Sequence, residues 1–140
     1  MNTEKINGLI AAPFTPMNRD GSLNIPLIKK YAEKLKNDSV AGVFVCGTTG
    51  EGMLLTLEER KIITESWISE QTDDFKVIVH VGTTSAQQSC ELASHAQEKG
   101  AYATSTMGPL FLTPGTIDQL LGFCEKIASA APDIPFYYYH

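Results

Sequence analysis

The sequence predicts an α/β protein in which a parallel sheet is covered by helices. Apolar, β-branched runs alternate with amphipathic helical patterns, and short connections join them. The order is β-α-β-α-β-α-β-α-β, and the strands recur at the spacing of one βα unit. The predicted strands are residues 8–12, 42–46, 77–81, 101–107 and 134–139, of which 101–107 is the weakest.

Local signals mark the four helices between these strands. Asn24 is the expected N-cap of the first helix. Thr56 and Glu59 form a capping box at the start of the second. Gly100 is a typical residue to end the third. The helices are predicted over residues 24–38, 56–71, 85–99 and 116–131.

Composition argues against several classes of protein. The formal net charge is -5, and the eleven Lys and Arg residues are dispersed, so neither a nucleic acid nor a membrane surface is an expected partner. The opening MNTEKING lacks the apolar segment of a signal peptide, and no run approaches the roughly 20 apolar residues that span a bilayer. We therefore expect a cytoplasmic protein. Three cysteines without C-x-x-C spacing predict reduced thiols rather than a disulfide framework or a zinc site.

Two architectures fit the pattern, an open doubly wound sheet and the first five strands of a (β/α)8 barrel. In both, ligands bind at the carboxyl ends of the strands. Gly47, Thr48, Thr49 and Gly50 lie at such an end, after the second strand. Glycines permit close approach and positive φ, while hydroxyls and successive N–H groups suit a carboxylate or phosphate. The alternative is a plain turn with a threonine cap.

Four segments carry a family resemblance: GLIAAPFTPMNRDGSLN, GVFVCGTTGEGMLLTLEER, VIVHVGTTSAQQSCELASHAQEKGA and IPFYYYH. Together they resemble the N-acetylneuraminate lyase and dihydrodipicolinate synthase family of class I aldolases. The resemblance covers essentially the whole chain. Its most specific motif is G-[ST]-T-G-E followed by L-x-x-x-E-R, and the Phe-Tyr-Tyr-Tyr-His ending looks closest to the sialic acid lyase branch.

The resemblance implies a (β/α)8 TIM barrel, of which residues 1–140 would hold about the first five strands and four helices of one domain. It also implies that a lysine forms a Schiff base with pyruvate, without a metal or other cofactor, and that N-acetylneuraminate is cleaved to N-acetylmannosamine and pyruvate. Thr48 and Thr49, with Gly47, match the site for the pyruvate carboxylate. Tyr139 matches the strand-five tyrosine that transfers protons. The implied partners are sialic acid, pyruvate and further copies of the chain, since the family suggests a homotetramer.

The sequence also departs from the family. The loop after strand four carries a tyrosine pair in the synthase branch, whereas Leu110 and Phe111 stand here. Phenylalanine cannot relay a proton, which favours the lyase branch or a loss of activity. Strand four is more polar than a buried parallel strand should be. The Schiff-base lysine of the family lies on strand six, so we expect the chain to be a fragment of a longer lyase, without that lysine.

Other hypotheses remain at this stage. One is a catalytically inactive half-barrel that binds a small carboxylate or associates with itself, and another is an aldolase of the dihydrodipicolinate synthase type. An open flavodoxin-like domain is disfavoured because no glycine-rich phosphate loop follows the first strand. By strand alternation, Tyr137 and Tyr139 face one side of the sheet and Tyr138 the other, and we expect Tyr138, and also Tyr137, to fill the core.

Overall fold

The computed structural model describes residues 6–140, and its elements alternate as the sequence predicts. Residues 1–5, part of the segment inspected for a signal peptide, lie outside the described residues. The strands are β1 (Ile10–Ala11), β2 (Gly42–Val45), β3 (Lys76–His80), β4 (Ala103–Thr106) and β5 (Phe136–Tyr138). The helices are α1 (Pro26–Asn37), α2 (Leu57–Ile68), α3 (Ala86–Glu98) and α4 (Ile117–Ala128).

The order of the strands decides between the two predicted architectures. All neighbouring pairs are parallel, and the sheet runs β1-β2-β3-β4-β5 without a reversal. A doubly wound sheet changes direction at a switch point, whereas a barrel adds each strand beside the previous one. The sheet is therefore the beginning of a (β/α)8 barrel.

The two faces of the sheet have different roles. Alternate strand residues pack against the helices, and the resulting core includes Val43, Val77 and Val79 together with Trp67 of α2 and Leu92 of α3. The residues between them point to the inner face, as strand alternation requires. Five of these inner residues are Ile10, Phe44, Ile78, His80 and Tyr137.

Three of the helices begin at a side-chain cap. Thr56 and Glu59 form the predicted capping box of α2, and Ser85 and Thr116 each accept an N–H bond at the starts of α3 and α4. The expectation for Asn24 is wrong. Ile25 occupies the cap position of α1 without a side-chain bond, because the chain enters the helix through a turn: Ile25 already has helical angles (φ -56°, ψ -42°), and the carbonyl of Asn24 accepts from the N–H of Leu27.

Strand β4 is fully buried, although its sequence is more polar than is usual for a buried parallel strand. Ser105 donates its hydroxyl to the carbonyl of Tyr137, at 2.8 Å, and Thr106 donates to the carbonyl of Met107, at 3.0 Å. The hydroxyl of Thr104 is buried and has no hydrogen-bonding partner among residues 6–140. Two of the three hydroxyls thus have a hydrogen-bonding partner. Burial of the third lowers the stability of the core without a compensating hydrogen bond.

Candidate functional site

A concave cavity of about 480 Å³ lies on the inner face of the sheet, towards the carboxyl ends of the strands. Its wall combines inner-face residues of β1, β2, β3 and β5 with the loop that follows β2. The lining residues are Ile10, Ala12, Phe44, Gly47, Thr48, Thr49, Ile78, His80, Met107, Tyr137, Tyr138 and Tyr139. The sequence-predicted residues Gly47, Thr48, Thr49 and Tyr139 are therefore brought together at one site.

The loop after β2 folds back on itself through its backbone. Cys46 begins it with a φ of 57° and Glu51 ends it with a φ of 54°, both in the left-handed region. The N–H of Gly52 bonds to the carbonyl of Gly47 at 3.1 Å, and the N–H of Glu51 to that of Thr48 at 3.0 Å. A Cβ at position 52 would lie 1.9 Å from the carbonyl oxygen of Cys46, so only glycine permits this closure.

Thr48 and Thr49 stand exposed at the tip of this loop. Within residues 6–140, neither their hydroxyls nor their backbone N–H groups have a protein hydrogen-bonding partner. Four unpaired donors at the rim of a cavity can receive an anion, and a carboxylate carries several acceptor lone pairs.

Two side chains from other elements hold the loop. The hydroxyl of Thr15, which follows β1, donates to the carbonyl of Gly50 at 2.6 Å. The Nδ1 atom of His80, at the end of β3, lies 3.2 Å from the carbonyl oxygen of Cys46. The threonine pair therefore sits on a loop tied to the strands on both sides of β2.

The three consecutive tyrosines occupy different surroundings. The N–H of Tyr139 bonds to the carbonyl of Thr106 at 2.9 Å, and its ring centroid lies 5.8 Å from that of Phe44. Its side chain is 61% exposed, which leaves the phenol accessible to a ligand. Burial, and secondarily a hydrogen bond with Tyr102, raise the pKa of Tyr137 above its ordinary value.

The expectation that Tyr138 fills the core is wrong. Tyr138 is 43% exposed and lies beside Gly108, at the mouth of a second cavity of about 610 Å³ formed mainly by the loop between β4 and α4. β5 is the last strand of this sheet, so its helix-facing side is only partly covered. Leu110 lines that second cavity and Phe111, with a φ of 63°, is 94% exposed.

His80 is a site residue that sequence reasoning missed. It is 4% exposed on the inner face, and its ring packs against Phe44 with centroids 5.7 Å apart. Burial, and then the nearby charge of Arg60, lower its pKa to about 4, and the bond to Cys46 opposes the shift only in part. The imidazole is therefore neutral at pH 7. The available signal was a histidine directly after the apolar residues 77–79 in the strand KVIVH.

Arg60 is a second residue whose role the sequence did not reveal. It lies in the first turn of α2, is 2% exposed, and donates to the backbone carbonyls of His80, the last residue of β3, and of Gly82 just after it. Burial lowers its pKa below the ordinary value, and neighbouring Cys46 acts in the opposite direction. The cysteine is itself buried, which raises the pKa of its thiol. Arg60 thus ties the start of α2 to the floor of the site.

The described lysines lie away from the cavity. They occupy α1, α2 and α4, the cap of α3, or the first position of β3, which is at the opposite end of the sheet from the threonines. None lines the cavity. Among residues 6–140, no group of three His, Cys, Asp or Glu side chains is arranged to hold a metal ion. In the same part of the chain, no helix has both the length and the apolar character needed to cross a bilayer.

Comparison with known proteins agrees with this architecture. The model of the dihydrodipicolinate synthetase family matches residues 5–140. The N-acetylneuraminate lyases of Pongo abelii and Homo sapiens are each 45% identical to the chain over 139 residues, which is 98% of this chain and 43% of each relative. The chain thus spans less than half the length of these relatives.

Solved structures show the same correspondence. The N-acetylneuraminate lyase of Proteus mirabilis superposes with a TM-score of 0.94 at 43% identity, over 98% of this chain and 46% of that one. The sialic acid aldolase of Aliivibrio salmonicida gives 0.94 at 46% identity, over 99% and 46%. A prophage protein of the dihydrodipicolinic acid synthase family from E. coli K12, solved in complex with pyruvate, gives 0.88 at 28% identity, over 95% and 44%.

Proposed function

Because the chain belongs to the dihydrodipicolinate synthetase family, we propose that its cavity is the pyruvate-binding part of a Schiff-base aldolase of the N-acetylneuraminate lyase type. The observation that carries the proposal is that the Gly47–Thr48–Thr49 loop and Tyr139, which are far apart in the sequence, reach one concavity. In this proposal the loop binds the carboxylate and Tyr139 is the catalytic acid and base.

The loop has the donors that a carboxylate needs. Thr48 and Thr49 present hydroxyls and N–H groups that no protein group uses within residues 6–140. Hydrogen bonds to a charged group contribute about 1.5–3 kcal/mol each, roughly twice the value for neutral pairs. Because the loop is closed by its own backbone bonds, little ordering remains to be done when the ligand binds.

Tyr139 supplies the proton transfer in this proposal. In the cleavage direction, its phenolate accepts the proton of the substrate hydroxyl next to the bond that breaks. The electron pair of that carbon–carbon bond then moves into the protonated Schiff base, leaving an enamine of pyruvate and an aldehyde. Protonation of the enamine carbon and hydrolysis of the resulting Schiff base then release pyruvate.

The Schiff-base amine is assigned to a part of the whole enzyme outside these 140 residues. No described lysine lines the cavity, since the described lysines lie on α1, α2 and α4, at the cap of α3 or at the first position of β3. The lyase type is proposed over the synthase type because Phe111, in the loop after β4, has no hydroxyl to relay a proton. The substrate is accordingly proposed to be N-acetylneuraminate.

Pyruvate binding to the 140-residue chain tests the carboxylate site directly. We expect pyruvate to shift the backbone amide resonances of residues 47–49 in a heteronuclear NMR titration, and Thr49→Val to weaken the apparent affinity severalfold. Thr72→Val is the matched control, because Thr72 is exposed in the turn before β3, away from the cavity. Absence of shifts at residues 47–49 would contradict the proposed carboxylate site.

A chimera tests the catalytic part of the proposal. This chain would be followed by the portion of the Proteus mirabilis lyase beyond the matched region, which supplies the rest of the barrel. Borohydride reduction with pyruvate should trap a covalent adduct, and Tyr139→Phe should strongly reduce cleavage of N-acetylneuraminate while the adduct still forms. Pyruvate binding without any adduct or turnover would instead favour a non-catalytic carboxylate-binding half-barrel.

A further inference from the structure

We propose that His80 is a positioning residue that holds the carbonyl of Cys46 and thereby sets the shape of the Gly47–Thr48–Thr49 loop. The effect of His80 on carboxylate binding rests on the proposed function. Its effect on the geometry of the loop does not depend on that function. His80 lies on β3, whereas the loop that would bind the carboxylate follows β2. The shape of this loop would therefore depend on a side chain of the neighbouring strand.

The contact between His80 and Cys46 assigns the tautomer of the imidazole. Nδ1 lies 3.2 Å from the carbonyl oxygen of Cys46, and a carbonyl oxygen can only accept, so Nδ1 carries the proton. In the neutral ring, Nε2 then carries a lone pair, and this buried atom has no hydrogen-bonding partner in the part of the chain that the structure describes. The ring is locked by its packing against Phe44 and by burial, with 4% of the residue exposed.

The carbonyl of Cys46 is the point at which β2 turns into the loop. Paired register between β2 and β3 ends at Val45 and Val79, one residue before Cys46. The N–H of Val81, the residue that follows β3, donates to the carbonyl of Ser105 in β4 instead. The imidazole thus supplies a donor to β2 where the ladder with β3 has ended, and Cys46 keeps its positive φ.

The same carbonyl also meets the end of the loop. A Cβ at Gly52 would lie 1.9 Å from this oxygen, so the backbone of Gly52 is in direct contact with it. The carbonyl therefore contacts both the imidazole of His80 and the backbone that closes the loop. A rotation of this peptide would move Gly47 and the two threonines that follow it.

The surroundings keep the imidazole neutral and in place. Arg60 of α2 donates to the carbonyl of His80 itself, which fixes the backbone at the end of β3, and its charge opposes a second positive charge on the ring. The Cys46 thiol and the Thr106 hydroxyl lie on the adjoining strand ends. The low pKa of His80 agrees with a permanent single donor at Nδ1.

Substitution of His80 in the 140-residue chain tests the proposal. His80→Phe keeps an aromatic ring and removes the donor, whereas His80→Asn keeps an N–H the same number of bonds from Cα as Nδ1. We expect His80→Phe to accelerate amide hydrogen exchange at Glu51 and Gly52 by about tenfold. We expect it to weaken pyruvate binding by about fivefold, the loss typical of one neutral hydrogen bond. His80→Asn should restore most of both.

Val79→Ala is the matched control, because it weakens β3 from the helix-facing side without touching the loop. The proposal is overturned if His80→Phe changes loop exchange no more than Val79→Ala does, or if His80→Asn is as impaired as His80→Phe. Should His80→Phe not fold, the tautomer in the wild-type chain decides. Long-range ¹H–¹⁵N spectra must show the proton on Nδ1, and a proton on Nε2 overturns the proposal. A wild-type chain that binds no pyruvate contradicts the proposed function, and the exchange data still decide the role of His80.

Discussion

Acidification should destabilise the fold through His80, and the structure sets the size of the effect. The pKa of His80 is lowered from its ordinary value of 6.5 to about 4, chiefly by burial. Between these two pH values the unfolded chain binds a proton that the folded chain does not. The free energy of unfolding therefore falls as the pH falls through this window. A pKa difference of this size corresponds to about 3 kcal/mol.

The perturbation is a change of pH from 7.5 to 4, applied to the wild-type chain and to His80→Phe. Urea denaturation followed by circular dichroism gives the free energy of unfolding at each pH. Carboxylates also titrate over this pH range, but they are the same in both proteins, so their effect cancels when the two free energies of unfolding are subtracted. The difference between wild type and variant should thus shift by about 3 kcal/mol in favour of the variant at pH 4, and by about 2 kcal/mol at pH 5.

Val79→Ala serves as the control for this measurement, because it lowers stability in the same strand without removing an ionisable group. Its stability should run parallel to that of the wild type over the whole pH range. If the wild-type and His80→Phe curves also run parallel from pH 7.5 to 4, His80 is not a buried neutral imidazole, and the reasoning is refuted.

Three further predictions concern the packing and the cap that hold the site. Thr104→Val should raise the free energy of unfolding by about 1 kcal/mol, because it removes a buried hydroxyl without a partner and conserves shape. Arg60→Met should lower it by about 3 kcal/mol, since the carbonyls of His80 and Gly82 lose their donors. Thr56→Ala should lower it by about 1 kcal/mol through loss of the α2 capping box. Urea denaturation measures all three.

Each of these predictions has an outcome that contradicts it. A less stable Thr104→Val would mean that the hydroxyl has a partner. An Arg60→Met variant as stable as wild type would mean that water satisfies the two carbonyls. Thr56→Ser, which retains the hydroxyl, should stay close to wild type, and an equal loss in Ser and Ala variants would show that the cap bond does not account for the effect.

Local features of the fold were predictable because their causes are local. The capping box of Thr56 and Glu59 needs only a spacing of three residues, and it is present as predicted. The strands were located by apolar runs, with differences of at most two residues at their ends. Asn24 was the exception, because the chain enters α1 through a turn in which Ile25 already has helical angles and occupies the cap position.

The loop residues of the candidate site could be predicted from the sequence, but the residues that hold this loop in place could not. Thr48 and Thr49 were recognised from glycines and hydroxyls at the end of a strand, and they do line the cavity. His80 and Arg60 were not recognised, because what distinguishes them is contact with backbone atoms of other elements. Tyr138 was misplaced for a related reason, since burial at the last strand depends on which neighbours cover it.

The sequence by itself determined the alternation of strands and helices, the caps that a few adjacent residues create, and the family to which the chain belongs. The family resemblance already implied the (β/α)8 barrel, whereas the alternation pattern left a doubly wound sheet open, and the strand order seen in the tertiary structure confirms the barrel. Only the tertiary structure decided the burial of the imidazole and guanidinium beneath the loop. The two kinds of feature differ in the sequence distance over which their causes act. Propensities and caps depend on residues a few positions apart, whereas strand pairing and burial depend on groups that come together only when the chain folds.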